Sequence, residues 1–284
     1  MFQSRKIRLV LIAAAVAGLW LAETQGPPPD NLAFERIADD LYVTIGNGGN
    51  VAMYVTPEGV ILVDDQFERN LPTIQDRVRQ LTDQPIRYVI NTHHHGDHTG
   101  GNARMLQSAE ILCHRNARAR MMEARQAGPP RVTFAYDSSV HLGGKEARAL
   151  YYGRGHTSGD VVVYFPQLKV LHTGDLFVNS VPLVDYASGA SALEWISVLS
   201  GILKELDVET IIPGHGPIYR RTDLEVYLKN FEMVRDRLTE LKKTGRTAEQ
   251  ALQEVQVEDL LTPWRSRTAM QRFVTGMFGE IGVE

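Results

Sequence analysis

Apolar and polar residues alternate along the first part of the chain in the manner of short strands joined by turns. Between residues 41 and 63 the runs LYVTI, VAMYV and VILV are separated by GNGGN and TPEG. β-Branched and aromatic residues suit a pleated surface, and Gly and Asn accept the backbone angles of tight turns. The pattern predicts a meander of three strands. From Leu71 to Leu81 the apolar residues recur at helical spacing, which predicts a helix.

The same reasoning predicts two similar rounds of strands and helices. After a strand in IRYVIN, the first round continues with a helix over residues 101–107, a strand at Ile111 and a helix from Asn116 to Gln126. The second round contains strands near 139–142, 147–152, 161–165 and 169–172, a helix from Ala192 to Leu206, and a strand in ETIIP. We therefore expect a fold of the α/β (α+β) class, a four-layer sandwich with two packed sheets inside and helices outside.

The last part of the chain is predicted to be helical. Thr222 with Glu225, and Thr247 with Gln250, have the spacing of capping boxes that open helices. The apolar residues of the first of these helices share one face, and they are Leu224, Leu228, Phe231, Leu238 and Leu241. No linker composition interrupts the chain after residue 30. We expect a catalytic domain over residues 31–220 and a helical extension over 221–284 that packs on it.

The first thirty residues differ in kind from the rest. Arg5, Lys6 and Arg8 precede an apolar run from Leu9 to Ala22, and the breaker GPPPD follows. This layout is typical of a secretory signal, and the run is shorter than the roughly 20 residues that a membrane span needs. An uncleaved anchor that tethers the protein to a membrane through residues 7–22 is the alternative. Both interpretations predict an exported protein, periplasmic or secreted.

Composition and charge argue against several kinds of partner. The formal charge of −4 gives no general attraction to nucleic acid or anionic membranes. The arginines of HRNARARMMEARQAGPPR lack interleaved aromatic residues for stacking bases, so they indicate a solvated helix face and no nucleic-acid partner. Because Cys113 is the single cysteine, no intrachain disulfide is possible. It lies in the apolar run AEILCH, which favours a buried core thiol.

Four of the nine histidines lie within six consecutive positions. Residues 88–99 read YVINTHHHGDHT, so that His93, His94, His95 and His98 stand with Asp97 directly after a predicted strand. Imidazole is the commonest protein metal ligand and is costly to bury without a partner. The cluster is therefore a tag, a solvated polar loop or a metal site. Its internal position excludes a tag.

Three further segments of the same build favour the metal site. ALYYGRGHTSGD, KVLHTGD and TIIPGHGP each lead from an apolar run through glycine to a possible ligand. Neighbouring strands that end at the same edge would bring these loops to one rim. The candidate metal ligands are then His93, His95, Asp97, His98, His156, Asp175 and His215. A zinc ion takes four to five ligands and a catalytic zinc keeps one position for water, so seven protein ligands predict two ions.

In this order, THHHGDH, GHTSGD, TGD and PGHG resemble the motifs of the metallo-β-lactamase superfamily across residues 35–220. The resemblance implies that superfamily's αββα sandwich. It also implies that a first zinc is bound by His93, His95 and His156, that a second is bound by Asp97, His98 and His215, and that Asp175 bridges the two. We predict that Asp97 is also the catalytic residue, which accepts a proton from the attacking water and passes it to the leaving group.

Departures from the family pattern leave the substrate open. Lactamases of the best-known subclass have a cysteine where Asp175 stands, often followed by a lysine, whereas this chain reads GDLFVNSVPLVDY. An Asp bridge resembles glyoxalase II-like thioesterases, but the GHE turn of those enzymes is replaced by His215-Gly216-Pro217. We predict a dizinc hydrolase of a small lactam, lactone, ester or thioester. The alternatives are a mononuclear iron oxidoreductase similar to persulfide dioxygenases, a true β-lactamase, or an inactive metal-binding partner protein.

Structural roles are predicted for the remaining polar residues near these motifs. His94 should point away from the metal ligands by alternation, and Asp160 should orient a ligand or cap a turn. Histidines within or beside strand-like runs are expected to be hydrogen-bonded structural residues, and they are His114, His141 and His172. The walls of the pocket are expected to come from loops near residues 46–50, 66–70 and 178–190.

Overall fold

A computed structural model describes residues 29–262, 264 and 266–282 of the chain. The predicted signal or anchor segment at residues 7–22 lies outside the described residues. None of the helices in the described part of the chain has the length and hydrophobicity that a membrane crossing requires.

A seven-stranded sheet is formed by the first part of the chain, with its strands in sequential order. The strands are β1 (Ala33–Ala38), β2 (Leu41–Ile45), β3 (Val51–Thr56), β4 (Gly59–Val63), β5 (Ile86–Ile90), β6 (Glu110–His114) and β7 (Val132–Phe134). Strands β1 to β4 pair antiparallel, and β4 to β7 pair parallel. Parallel strands need long crossover connections, and these contain helices. The carboxyl ends of β4 and β5 therefore lie at the same edge.

A six-stranded sheet follows, in the order β13-β12-β11-β10-β9-β8. Its strands are β8 (Asp137–Leu142), β9 (Lys145–Leu150), β10 (Val162–Phe165), β11 (Val170–His172), β12 (Thr210–Ile212) and β13 (Tyr219–Arg220). All neighbours pair antiparallel except β11 and β12, which are parallel. The carboxyl ends of β11 and β12 consequently lie at the same edge, as expected if their loops meet at one rim.

Eight α-helices accompany the sheets in the described residues. They are α1 (Leu71–Leu81), α2 (Gly96–Thr99), α3 (Asn102–Met105), α4 (Arg115–Glu123), α5 (Ala192–Glu205), α6 (Arg221–Lys243), α7 (Ala248–Glu254) and α8 (Arg267–Glu280). The predicted helix over 71–81 is confirmed. The helix predicted over 101–107 is shorter, because the chain forms the two single-turn helices α2 and α3 between the histidine cluster and β6.

Three apolar layers separate the sheets and helices, which confirms the four-layer sandwich. Ile61 and Val63 of β4 face the second sheet, whereas Val60 and Leu62 face α1. This alternation follows from the two-residue period of a strand and buries both faces of the first sheet. The outer face of the second sheet packs on α5, α6 and α8 in a third apolar cluster. Cys113 is buried in the core, where burial raises the pKa of its thiol to about 12.

One of the two predicted capping boxes is wrong. Helix α6 begins at Arg221 rather than after Thr222, and the side chain of Asp223 accepts a hydrogen bond from the backbone N–H of Arg220 (2.8 Å). Glu225, the expected partner of Thr222, instead accepts from the guanidinium of Arg221 at 2.9 Å. The box of Thr247 with Gln250 is confirmed at the start of α7. Strands β1, β7 and β13 were not predicted.

Candidate metal centre

Four loops meet at one rim of the sandwich, and each carries predicted ligands. The histidine cluster follows β5, Asp175 follows β11, and His215 follows β12. His156 lies in the loop between β9 and β10. The first sheet therefore supplies the ligands of the cluster, and the second sheet supplies the other three. All seven predicted ligands lie together in two groups.

The first group contains His93, His95, His156 and Asp175, whose ligand atoms all lie within 4.8 Å of one another. His156 Nε2 lies 2.9 Å from His95 Nδ1 and 3.5 Å from Asp175 Oδ2. His93 Nε2 lies 4.0 Å from the same carboxylate oxygen. Three imidazoles and one carboxylate oxygen thus converge on a common point, which is the ligand set of a zinc or iron site.

The second group contains Asp97, His98 and His215, again within 4.8 Å of one another. His215 Nε2 lies 3.3 Å from both His98 Nε2 and Asp97 Oδ2. The other oxygen of Asp175, Oδ1, lies 3.2 Å from His98 Nε2 and 3.4 Å from His215 Nε2. The carboxylate of Asp175 therefore turns one oxygen toward each group.

A buried ring nitrogen without a partner supports a cation at this site. His93 Nε2 is buried and makes no hydrogen bond with the described residues, and the buried Asp175 Oδ1 faces the ring nitrogens of His98 and His215. A buried polar atom without a partner costs about 1–3 kcal/mol, and a bound cation would remove that cost at His93 Nε2. Divalent cations bind the lone pairs of imidazole nitrogen and carboxylate oxygen. The residues present fit such ions.

The electrostatics of the site also favour a bound cation. Burial lowers the pKa of His215, but its contacts with Asp175 and Asp97 outweigh burial and raise it to about 9. Burial would raise the pKa of Asp175, but the positive charge of His98 and the hydrogen bond from His215 hold it well below its usual value. The carboxylates thus favour positive charge at the second group, which protons can supply in the free protein and cations when they bind.

Asp64, which the sequence analysis did not predict, holds His98 from behind. Its Oδ2 lies 2.7 Å from Nδ1 of His98 and accepts a hydrogen bond from the hydroxyl of Thr92 (2.8 Å). Its Oδ1 accepts from the backbone N–H of Thr92 (2.7 Å). A carboxylate at Nδ1 keeps the proton on that side, so the Nε2 lone pair faces the site. Asp64 directly follows β4, as the histidine cluster follows β5. This position at a strand end is the sequence feature that could have predicted its role.

The loop over residues 183–188 holds two of the three histidines of the first group, and it was expected only as a wall. Asp185 Oδ2 lies 3.1 Å from His95 Nε2. The backbone N–H of Asp185 donates to the carbonyl of His156 (2.9 Å), and the ring Nδ1 of His156 contacts the carbonyl of Leu183. These contacts leave His95 Nδ1 and His156 Nε2 directed at the first group. Asp185 therefore orients a predicted ligand, as Asp64 does in the second group.

Asn50 holds the loop that carries His215. Its side-chain amide donates to the carbonyls of Pro213 and Gly216, both at 2.9 Å, and its backbone N–H donates to the carbonyl of Gly214 at 2.7 Å. Three hydrogen bonds from one residue therefore fix the backbone on both sides of His215. The GNGGN turn was expected to form a wall of the pocket, but Asn50 supports a ligand loop instead.

The other polar residues lie outside the two groups. His94 belongs to neither group, is buried, and lies 3.2 Å from the hydroxyl of Ser188. The expectation that it points away from the predicted ligands is wrong for His95, because ring nitrogens of His94 and His95 and a carboxylate oxygen of Asp185 lie within 4.8 Å of one another. Asp160 closes the turn after His156 by accepting from the backbone N–H of Thr157 (2.7 Å). The expected structural role is confirmed for His114, hydrogen-bonded to Ala135, and for His172, hydrogen-bonded to Asn50. It is wrong for His141, whose side chain is exposed and lies 3.9 Å from Glu146.

A cavity of about 640 Å³ opens above the two groups. His95, Asp97, His156, Asp175 and His215 reach it from below. One wall is apolar and comes from Val178, Pro182, Leu183 and Val184, which confirms the predicted contribution of the loop over 178–190. The expectation for the other two loops is wrong, because no residue of 46–50 or 66–70 lines this cavity in the described chain. Ala269 and Arg272 of α8 line it instead.

Comparisons with known proteins agree with this geometry. Residues 45–215 match the family described as the metallo-beta-lactamase superfamily. The chain is 27% identical to a metallo-beta-lactamase type 2 of Elizabethkingia meningoseptica over 227 residues, which cover 74% of this chain and 88% of the relative. It is 27% identical to a metallo-beta-lactamase type 2 of Bacillus cereus over 168 residues, which cover 57% of this chain and 65% of the relative.

Solved structures share the fold. A metallo-beta-lactamase from Pontibacter korlensis superposes with a TM-score of 0.65 at 24% identity, covering 71% of this chain and 99% of that one. The inverting sec-alkylsulfatase Pisa1 from Pseudomonas sp. superposes with a TM-score of 0.71 at 16% identity, covering 88% of this chain and 50% of that one. The family match, the relatives and the two ligand groups together support a metal-binding hydrolase.

Proposed function

This chain belongs to the metallo-beta-lactamase superfamily, and from that premise we propose that it is a dizinc hydrolase of a lactam, lactone, ester or thioester. One observation carries the proposal: the carboxylate of Asp175 turns Oδ2 toward the first ligand group and Oδ1 toward the second. A carboxylate between two complete groups is the arrangement that a pair of ions needs. Bound zinc would supply Lewis acidity, which lowers the pKa of water toward neutrality.

Asp97 is the residue of the site best placed to move a proton. Its side chain is 28% exposed and lines the cavity, whereas that of Asp175 is 9% exposed. Burial raises the pKa of Asp97, but the hydrogen bond from His215 and the charge of His98 lower it below its usual value. The carboxylate is therefore ionised at neutral pH. It can accept a proton from the attacking water and deliver it to the leaving group.

The apolar wall of the cavity supports hydrolysis of a small organic substrate. Val178, Pro182 and Val184 can pack against the substrate and displace water from around the reacting bond. Displacing water strengthens the electrostatic interactions of the polar floor with the substrate. The relatives named metallo-beta-lactamases make a β-lactam the first compound to test.

An iron oxidoreductase is the alternative reaction. It would require only the three histidines of the first group, and it would leave Asp97, His98 and His215 without a role. The presence of a complete second group therefore favours two ions and hydrolysis. Ligand chemistry by itself does not separate zinc from iron, because imidazole binds both.

Metal analysis combined with a substrate screen tests the proposed function. The protein is purified without added metal, and its metal content is measured beside that of His93→Ala and His215→Ala variants. We expect about two zinc ions per wild-type chain, as the two ligand groups require, and turnover of nitrocefin, a lactone, an ester or a thioester. One iron per chain, with oxygen consumption in the presence of a persulfide, would contradict the proposal.

We also propose that the protein is exported. The proposal is supported by Arg5, Lys6 and Arg8 and by the apolar run from Leu9 to Ala22, which lie outside the described residues. Fractionation of cells that produce the full chain tests it. We expect the protein in the periplasmic, secreted or membrane fraction, and replacement of two apolar residues of the run by aspartate should retain it in the cytoplasm. A wild-type chain found only in the cytoplasm would refute export.

A further inference from the structure

Helix α8 turns one face toward the loop that walls the cavity. The residues of this face are spaced three or four apart, and they are Ala269, Arg272, Gly276 and Glu280. The first two line the cavity, and Gly276 lies against the ring of Tyr186. Glu280 accepts hydrogen bonds from the hydroxyl of Ser191 and from the backbone N–H of Ala192 (2.8 Å). Arg272 therefore stands on the cavity side of the helix.

The backbone that carries Arg272 is held firmly. Phe273, Val274 and Met277 of α8 are fully buried in the cluster shared with the second sheet. Lys242 of α6 donates to the carbonyl of Phe278 (2.7 Å), near the C-terminus of α8. A side chain on such a helix is presented at a fixed place, as a binding residue requires.

The guanidinium of Arg272 is not paired with a carboxylate of the described residues. Among the described residues it is the only lysine or arginine that lines the cavity, and its guanidinium makes no hydrogen bond or ion pair with any of them. The carboxylates that line the cavity are engaged elsewhere. Asp97 and Asp175 contact imidazoles, and Asp185 contacts His95 at 3.1 Å. A guanidinium is always charged and carries five N–H donors. Without a carboxylate partner in the protein, it can bind an anionic oxygen group of a ligand.

An apolar wall accompanies this charge and the ligand groups in the same cavity. Leu183 belongs to that wall and its side chain is 51% exposed, so an apolar part of a ligand can contact it. The cavity thus combines a polar floor, an apolar wall and one cation. We propose that Arg272 binds a carboxylate or similar anionic oxygen group of the substrate, remote from the bond that is cleaved. The substrate is then an acyl compound with an apolar middle and an anionic end.

This inference rests on the proposed hydrolase function. Pairs of substrates that differ only in charge test the role of Arg272 separately from hydrolysis itself. The probes are the para-nitrophenyl half-esters of adipic, pimelic and suberic acids, and the same esters with the free carboxylate converted to an amide. The leaving group and chain length are identical within each pair, so only the charge differs. We expect the wild-type enzyme to prefer the anionic member, with Arg272→Met lowering kcat/KM for it by about 10- to 100-fold. The amide should be unaffected.

Two further variants sharpen the test. Arg267→Met removes the same side chain from the same helix at a position that does not line the cavity, so both substrates should react as in wild type. Arg272→Lys keeps the charge but loses the two-pronged geometry, so it should recover part of the preference. Equal wild-type rates on both members, unchanged in Arg272→Met, would overturn the role of Arg272 and leave the hydrolase function intact. Failure to hydrolyse any acyl compound would overturn both.

Discussion

Asp64 Oδ2 lies 2.7 Å from His98 Nδ1 at the rim of the two sheets, with both side chains fully buried. The contact selects the ring nitrogen that faces the second ligand group. Asp64 occupies a left-handed backbone conformation (φ 63°), which asparagine accepts about as well as aspartate does. Asparagine can therefore replace Asp64 without new backbone strain, and the effect of the carboxylate can be measured separately.

We predict that Asp64→Asn weakens binding of the second metal ion. The amide can donate to Nδ1 of His98, which would move the ring proton to Nε2 and remove the lone pair from the site. Loss of such a supporting contact typically lowers metal affinity or activity by about 10- to 100-fold. Zinc titration of the metal-free protein measures the effect, and the first ion should bind as in wild type. Unchanged binding of both ions would show that Asp64 does not control His98.

Asp97→Asn tests the proposed movement of protons. The substitution keeps an oxygen and the shape of the side chain but removes the carboxylate, so we expect the fold to remain and kcat to fall by about 10²- to 10⁴-fold. Zinc content and thermal unfolding are measured on the same preparation. If the variant holds two ions and retains wild-type kcat on every active substrate, Asp97 does not transfer the proton.

Asn50→Ala should loosen the loop of His215. The variant loses one buried and one partly buried side-chain hydrogen bond, which we expect to cost about 2 kcal/mol of unfolding free energy. Binding of the second ion should weaken more than binding of the first. Asn47→Ala, at an exposed position of the same turn, is the matched control and should leave the relative binding of the two ions unchanged, because the side chain of Asn47 interacts with Asp30 and not with the loop of His215. Equal loss of both ions would indicate a general loss of folding instead of a local effect.

Gly276→Ala should separate helix α8 from the cavity loop. A methyl group at this position would overlap the ring of Tyr186, and overpacking of this kind costs about 1–3 kcal/mol. We expect lower thermal stability and lower kcat/KM, with recovery when Tyr186→Ala is added. Gly279→Ala is the matched control, because nothing lies within 4 Å of its added methyl group. That variant should be unchanged or stabilised by up to about 1 kcal/mol.

The two groups of candidate ligands were predictable because clustered histidines are uncommon and their sequence context repeats. Histidines and aspartates followed apolar runs and glycine in four segments, and strand geometry directs such loops to one edge. Strands β2 to β5 and helix α1 were equally predictable, because period-two and period-3.6 patterns are strong over these lengths. The predicted division of the chain at residue 220, and the binding of metal by the seven residues, stay predictions.

The supporting residues were not predictable from local pattern. Asp64 reaches His98 only because β4 and β5 pair in parallel, and that register depends on the whole sheet. Asn50 contacts residues more than 160 positions away, and Arg272 reaches the cavity through the packing of α8. Aspartate, asparagine and arginine are common on protein surfaces, so their type alone carries no signal. The wrong capping box has the same cause, since Arg221 takes Glu225 away from Thr222.

The origin of the ligands in two different sheets has a consequence for how the protein matures. Residues 93–98 emerge early in synthesis, whereas His156, Asp175 and His215 emerge later and belong to the other sheet. In the proposed dizinc enzyme, neither sheet alone supplies enough ligands for two ions. Metal binding would then follow the docking of the two sheets, and the bound ions would link the sheets at their shared edge.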